Sequence, residues 1–307
     1  MLYYYCTNST FASIVKNRSL WLSDMTQSND SYEIHRYVGI VKEAIEERIK
    51  ALAETELQEE PQKGPKRKAY QQNLRLKTVL TQAKNKLKNL ADQYYCLAIC
   101  FSDMGNSLSQ WRGYGDDGYG ISIGFDEERI EELSGQHILF KYGDVQYYSS
   151  ENDERIRSRI KEYLEELAEI SRDEKCTGQK LAAALRNWAR KILDNDAPFF
   201  KPAGFIEERE TRFCYVREIH APEMANPKET SHLRNLDFHV SNTAIIPHYE
   251  LKLYDGETFL TDIIREVVIG PCNGSDKETV RLFLAKAGFD YAAIKVEKSN
   301  IPYRPRK

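Results

Sequence analysis

Two glutamates and an arginine alternate in the C-terminal half of the chain, as Glu208, Glu210 and Arg212. If this segment is a β-strand, the three side chains share one face, because successive strand residues point to opposite sides. The guanidinium would keep one carboxylate ionised and leave the other free for acid, base or cation-stabilising work. We therefore expect a catalytic role for Glu208 and Glu210. The alternative is an edge strand with a solvated charged face.

The same alternation predicts how variants should behave. Glu210 would stand between one like charge and one opposite charge, so Glu210→Gln should remove a repulsion, spare the fold and abolish activity. Arg212→Ala should lose both stability and activity, because two carboxylates would then face each other.

A second candidate region follows an apolar segment at residues 94–101. It is rich in hydroxyl, amide, aromatic and glycine residues and includes Ser102, Trp111, Arg112 and Tyr114. The two aromatic rings could stack on a flat ring while the arginine meets a phosphate or carboxylate, a combination that suits a nucleotide-like ligand. The alternative is a glycine-rich turn with Trp111 packed into the core. The glycines form neither a Rossmann fingerprint nor a P-loop.

Metal-binding patterns are absent from the sequence. The chain has 6 cysteines and 6 histidines, and none of them shows the spacing of a zinc site. Cys96 and Cys100 would share one face of a strand, where core packing is the expected role. The scattered cysteines favour a reducing cytosol, so we expect a cytoplasmic protein without a metal.

Composition limits the class of protein. The 307 residues are 41% hydrophobic and 30% charged, which indicates a globular chain rather than a disordered one. No apolar run approaches the ~18 residues of a spanning helix, and no secretory leader is visible. We therefore expect no membrane partner. A net charge of -3 argues against bulk attraction to nucleic acid but permits local patches.

One such patch is basic. Residues 63–88 contain 9 lysines or arginines and no acidic residue, so this segment could bind nucleic acid. The alternative is a solvated helix that faces the acidic segment before it, whose glutamates have the complementary sign.

The elements that must position these residues follow from periodicity. Apolar residues recur at steps of three and four over residues 30–56 and again over 66–92, which predicts a helical hairpin inserted at 30–93. A second helical insertion is predicted at 150–195. Strands are predicted at 2–6, 94–101, 121–125, 138–148, 212–216, 245–253, 267–269 and 291–296, with a helix at 277–287. The predicted class is α+β, with a mixed or antiparallel central sheet and helical insertions in a single domain over 1–307.

Several segments, taken in order, resemble the domain of unknown function 2971, an uncharacterised bacterial family. The segments are residues 2–5, 20–24, 29–33, 100–102, Trp111, Tyr114, 120–125, 208–212, 269–271 and 299–304. Each is short, but together in this order they are specific. The family name carries no established activity.

This order is similar to that of ADP-ribosyltransferase-like folds, in which a first-strand aromatic or basic residue, a middle-strand serine or tyrosine and a late glutamate surround NAD. The resemblance implies Tyr4 or Tyr5 at the first position, Ser102 at the second and Glu210, with Glu208, at the last. A carboxylate there would stabilise the oxocarbenium-like state of nicotinamide release. Many such enzymes have histidine or arginine on the first strand, so Tyr5 must grip the ribose here.

Two functions remain open at this point. The first is an enzyme that uses NAD or a nucleotide, transfers ADP-ribose to a macromolecule or hydrolyses the cofactor, and serves as a toxin or phage-defence effector. Its catalytic residues would be Glu210, Glu208, Ser102 and Tyr5, and its cofactor-binding residues Tyr4, Asn29, Asp30, Trp111, Tyr114 and Arg212. The second is a non-catalytic module that recognises nucleic acid or a protein partner.

Overall fold

The computed structural model describes residues 1–25, 33–54, 61–88, 90–135, 140–150, 153–218, 237–240 and 245–304. The strands are β1 Leu2–Cys6, β2 Ser19–Asp24, β3 Tyr94–Ser102, β4 Ile121–Phe125, β5 Phe140–Asp144, β6 Gln146–Tyr148, β7 Phe200–Pro202, β8 Glu210–Glu218, β9 Asp237–Val240, β10 Ile245–Lys252, β11 Tyr254–Asp255, β12 Thr258–Phe259, β13 Ile264–Ile269 and β14 Lys295–Lys298. The helices are α1 Asn8–Asn17, α2 Glu33–Glu54, α3 Pro65–Leu87, α4 Leu108–Gly113, α5 Glu127–Gly135, α6 Glu154–Arg172, α7 Gly178–Asn195 and α8 Lys277–Lys286.

One large mixed sheet organises the fold. Its strands follow the order β14, β13, β4, β1, β3, β2, β10 and β9, while β8 pairs with both β3 and β5. The pairs within it are antiparallel except for β13 with β14, which is parallel. The predicted α+β class with a mixed sheet is therefore confirmed.

Strand β3 lies at the centre of this sheet and is covered on both faces. Leu97, Ile99 and Phe101 pack into the hydrophobic cluster that includes α1, α5 and α8. Cys96 and Ala98 point the other way, into the cluster formed with α2, α3, α6 and α7. The alternation explains why the run at 94–101 contains almost no polar residue: each face of the strand meets its own helical layer.

The sheet opens beside β3. Strand β8 pairs with β3 along its full length, from Tyr94 to Ser102, and so occupies one edge. On the other edge, β1 pairs with β3 only at Ser102, and β2 pairs with it only at Leu97 and Ala98. Among the described strands, none pairs with residues 99–101 on this second edge. Strands β1 and β2 therefore diverge from β3 and leave a wedge between them.

The helices fall where the periodicity predicts them. α2 and α3 lie within residues 30–93, and Lys84 of α3 is 3.6 Å from Glu46 of α2, as expected for a basic helix beside an acidic one. α6 and α7 lie within 150–195. The description of these ranges as insertions into a single domain stays a prediction.

Two predicted strands differ from the structure. The segment at 138–148 divides at Val145 into β5, which joins the main sheet, and β6, which pairs in parallel with β7 outside it. The backbone N–H of Val145 bonds to the carbonyl of Glu210, which ends the ladder with β8. The closing strand predicted at 291–296 is displaced to residues 295–298, where it pairs with β13.

Candidate functional site

A cavity of about 250 Å³ fills the wedge between β1 and β2. Tyr4 and Tyr5 of β1 line one side, Trp21 and Ser23 of β2 line the other, and β3 contributes the exposed thiol of Cys100. Cavities where a sheet divides are common ligand sites, because strand ends and loops converge on them from several directions.

The structure brings half of the predicted site residues to this cavity. Those that line it are Tyr4, Tyr5, Tyr114, Glu208 and Glu210. Ser102, Trp111 and Arg212 are buried behind the wall rather than in it. Asn29 and Asp30 lie outside the described residues.

Glu208 does not belong to the strand that alternation predicts. It ends a 3-10 turn at Ala203–Glu208, and Arg209 then takes a left-handed conformation with φ of 46° before β8 begins at Glu210. The turn nevertheless brings the Glu208 carboxylate to the cavity, where it accepts hydrogen bonds from the Tyr114 hydroxyl (2.8 Å) and from Lys201. The two carboxylates therefore converge through a turn and not through a shared strand face.

Glu210 and Arg212 do share a face of β8, and they form the centre of a buried ionic cluster. The guanidinium donates to Glu210 at 3.0 and 2.7 Å and to both oxygens of Glu33 at 2.6 and 3.1 Å. The Lys201 ammonium is 3.2 Å from Glu210. Every one of these side chains is buried. This segment therefore does not form a solvated charged edge. Its charges are buried, and they are paired because an unpaired charge would be very costly there.

The expectation that Glu210→Gln spares the fold does not agree with this geometry. Glu210 does not stand in a repelling pair, because two cations hold its carboxylate. Neutralising it would leave the buried Lys201 and Arg212 with less compensating charge, which destabilises the folded state.

The pKa of Glu210 reflects these contacts. Burial raises it, but the charge and hydrogen bonds of Arg212, together with Lys201, outweigh burial and bring the pKa to about 2. For Glu33, burial outweighs the attraction of Arg212, so its pKa is raised. Glu210 therefore remains an anion throughout the physiological range.

This shift predicts a pH dependence of stability. The folded-state pKa of about 2 lies below the ordinary 4.5, so the ionised Glu210 stabilises the fold above pH 4.5 and loses that effect as the pH falls to 2. Glu210→Gln lacks this titration. Calorimetry should therefore show a gap in melting temperature between wild type and Glu210→Gln that is widest above pH 4.5 and narrows toward pH 2. A gap independent of pH would contradict the ion pairing.

Ser102 supports the turn that presents Glu208, and Tyr5 supports the loop between β3 and α4. The Ser102 hydroxyl donates to the carbonyl of Glu208 at 2.8 Å. The Tyr5 hydroxyl donates to the carbonyl of Met104 at 2.6 Å and accepts from the N–H of Ser107 at 3.0 Å. Ser102 is therefore placed to position a carboxylate, whereas the Tyr5 hydroxyl is already engaged by two backbone groups.

Trp111 adopts the core alternative. It is fully buried, its ring lies 4.8 Å from that of Tyr5 in an edge-to-face contact, and its Nε1 donates to Asn106 at 2.9 Å. A ligand has no access to its face. Of the predicted stacking pair, only Tyr114 reaches the cavity.

Several functional candidates have no obvious sequence signal. Lys201, the cation that joins Glu208 to Glu210, stands alone between apolar residues. Gln110 lines the cavity and donates to the Glu208 carbonyl at 3.3 Å. In the sequence, nothing distinguishes it from the other amide residues of its loop. Trp21 and Glu33 lie in segments that carry the family resemblance. Arg212 lies in another such segment, so the opposite charges of Glu33 and Arg212 could have suggested that they pair.

The rest of the described surface offers weaker sites. A larger groove of about 840 Å³ between α2, α3 and α6 contains none of the predicted site residues. No cluster of three or more potential metal ligands occurs among the residues that the structure describes. On α3, Lys66 and Lys68 are exposed, while Arg75 donates to backbone carbonyls after α6. Within the same residues, no helix is long and apolar enough to cross a bilayer.

Comparison with known proteins gives one match. No curated protein and no solved structure matches the chain. Residues 110–213 match the model of the family described as "Protein of unknown function (DUF2971)". The matched segment runs from the start of α4 into β8 and so contains Gln110, Tyr114, Glu208 and Glu210 of the cavity wall, as well as Arg212 behind it. This match supports the domain-of-unknown-function family that the sequence motifs resemble.

Proposed function

We propose that this protein is an NAD-using transferase or glycohydrolase of ADP-ribosyltransferase-like type, with its site in the wedge between β1 and β2. The observation that carries the proposal is the arrangement of charge. Glu208 and Glu210 line the cavity, whereas their cations Lys201 and Arg212 lie behind them. The wall that a ligand would meet is therefore acidic and aromatic.

Such a wall suits a positively charged heterocycle. Among the described residues, no lysine or arginine lines the cavity, while Asp24 adds a third carboxyl group and Tyr4, Tyr114 and Trp21 supply aromatic surface. Carboxylates and aromatic faces both attract a cation. The pyridinium ring of NAD is such a group, and a phosphate is not.

The proposed reaction breaks the bond between the pyridinium nitrogen and ribose C1. Nicotinamide leaves with the electron pair of that bond and so becomes neutral, while positive charge develops on the ribose. A fixed carboxylate stabilises this oxocarbenium-like state, and Glu208 and Glu210 are the groups in position to do so. Water, or a hydroxyl of a macromolecular acceptor, then bonds to C1 and releases its proton to solvent.

The order of elements adds support by analogy. Tyr4 and Tyr5 on the first strand, Ser102 on a central strand and Glu210 on a late strand converge on one region, as the resemblance to ADP-ribosyltransferase-like folds implies. Modification of a macromolecular acceptor would suit a toxin or phage-defence effector.

The test is to incubate the purified protein with NAD and to follow free nicotinamide by chromatography. We expect nicotinamide to accumulate together with ADP-ribose or a modified acceptor. A protein that is folded by circular dichroism and releases no nicotinamide, with or without a cell extract as a source of acceptor, would contradict the proposal.

A second function is favoured by a specific observation. Both carboxylates are held by cations or hydroxyl groups, as in a purely structural network, and α3 exposes Lys66 and Lys68. A non-catalytic module that binds nucleic acid through residues 63–88 would have these features. Retention of nucleic acid that weakens steeply with salt, in a protein that does not bind NAD, would favour this alternative.

A further inference from the structure

A second cavity of about 340 Å³ adjoins the first within the wedge. Tyr4, Trp21, Ser23 and His239 line both cavities. The first is bounded by β3 and will be called the β3 cavity, and the second is bounded by α1 and will be called the α1 cavity. Because the same four side chains border both, the two cavities are direct neighbours.

The topology explains why they meet. β1 and β2 both run antiparallel to β3, so they are parallel to each other, and α1 connects the end of β1 to the start of β2. The three segments and residues 99–101 of β3 thus enclose an opening with β3 on one side and α1 on the opposite side.

The lining of the α1 cavity differs from that of the β3 cavity. It carries hydroxyl and amide side chains from α1 and β2, namely Ser9, Thr10, Ser13, Asn17, Ser19 and Ser23. Among the described residues, no acidic side chain, lysine or arginine lines it. Hydroxyl and amide groups both donate and accept hydrogen bonds, so they match the hydroxyl groups of a sugar.

Two further features mark the border between the cavities. His239 borders both cavities, and its Nδ1 atom is buried without a hydrogen-bond partner among the described residues. The Trp21 ring stacks on His248 at 4.0 Å and lies 5.4 Å from the ring of His239, yet Trp21 is 39% exposed, so part of its aromatic surface is open beside the polar groups. Aromatic rings beside hydrogen-bonding groups are suited to sugars and bases, which have both flat and polar parts.

Size points in the same direction. The β3 cavity, at about 250 Å³, lies below the usual ~300–1,000 Å³ of small-molecule sites, and the α1 cavity, at about 340 Å³, lies at the lower end of that range. Their combined space falls well within it. The wedge therefore matches a ligand of two linked parts better than either cavity matches a whole ligand.

We propose that the α1 cavity binds a neutral, hydroxyl-bearing sugar or nucleoside, the second half of the molecule whose cationic glycoside occupies the β3 cavity. The inference rests on the proposed function and extends it, because it assigns the remote half of a dinucleotide to named residues. Any phosphates that link the two halves must stay in water, since neither lining among the described residues offers a cation.

Protection of Cys100 from N-ethylmaleimide reports occupancy without requiring turnover. Cys100 lines the β3 cavity, whereas Cys6, Cys96 and Cys214 are buried, and mass spectrometry identifies the labelled cysteine. Burial and the neighbouring Glu210 raise the pKa of the Cys100 thiol, so labelling is carried out at alkaline pH with long exposure, which forms enough of the reactive thiolate. Half-buried Cys272 lines neither cavity and serves as the internal reference. NAD and nicotinamide riboside, which lacks the second half, are titrated against wild type, Ser13→Leu and Lys16→Leu. Ser13→Leu places a leucine side chain in the α1 cavity. Lys16→Leu places a leucine on the same helix but outside the cavity.

We expect Ser13→Leu to raise the NAD concentration needed for half-protection by at least about tenfold, or ~1.4 kcal/mol. Lys16→Leu should leave it unchanged, and nicotinamide riboside should protect all three proteins equally. Equal protection by NAD in wild type and Ser13→Leu would overturn the assignment of the α1 cavity to the second half of the ligand and leave the proposed function intact. Equal weakening of both ligands by Ser13→Leu would also overturn it. Failure of both ligands to protect wild type would overturn the proposed function and this inference with it.

Discussion

Replacing Arg212 by methionine is expected to lower the free energy of unfolding by about 3–5 kcal/mol, the usual cost of removing one partner from a buried ion pair. The guanidinium is 2% exposed and holds Glu33 and Glu210 through four hydrogen bonds. Without it, the two carboxylates must be neutralised by protons or by Lys201 alone. Urea denaturation followed by circular dichroism measures the loss.

Arg209→Met is the matched control for this experiment. Arg209 is three residues earlier and forms an ion pair with Asp103 at 2.6 Å, but its side chain is 56% exposed. Surface ion pairs contribute only about 0–1 kcal/mol, so this variant should unfold almost as wild type does. Equal stability of Arg212→Met and Arg209→Met would mean that the buried cluster does not hold β8 in place.

Replacing Glu208 by glutamine should reduce nicotinamide release by about 10²–10³-fold, the effect of removing one electrostatic stabiliser from an active site. The side chain is 15% exposed and lines the cavity. Glutamine can keep its oxygen toward Lys201 and donate an amide N–H to the Tyr114 hydroxyl, but it removes the negative charge. The loss should therefore appear in turnover. The melting temperature should fall less than in Glu210→Gln, because Lys201 keeps Glu210 as a partner and Arg212 loses none.

Glu207→Gln makes the same chemical change one residue earlier. Glu207 is exposed and does not line the cavity. Its nicotinamide release should equal that of wild type. Full activity in Glu208→Gln, or an equal loss in both variants, would remove Glu208 from the proposed chemistry and leave Glu210 as the remaining carboxylate of the wall.

Local sequence patterns predict the helices and strands well, but they predict the contacts between these elements poorly. Apolar spacing locates α2, α3, α6 and α7, because each helix buries one stripe. Strand alternation correctly places Glu210 and Arg212 on one face of β8. It fails at Glu208, because the left-handed backbone of Arg209 ends the strand register there. An arginine side chain does not predict such a conformation.

The long-range partners could not be predicted for a different reason. Glu33 and Lys201 meet Arg212 and Glu210 through the packing of α2 and β7 against β8, and the sequence separation contains no information on that contact. The wedge could not be predicted from the sequence either. It arises because β1 and β2 share one edge of β3, and pairing between strands follows from the whole sheet rather than from the 94–101 run.

We infer that the wedge between β1 and β2 holds the cationic glycoside end of the ligand. A crystal structure of the Glu208→Gln variant with nicotinamide riboside tests it most directly. We expect the pyridinium ring in the β3 cavity, beside Glu210 and against Tyr4 and the edge of β3 at residues 99–101. A ligand bound in the groove between α2, α3 and α6, with the wedge empty, would contradict the claim.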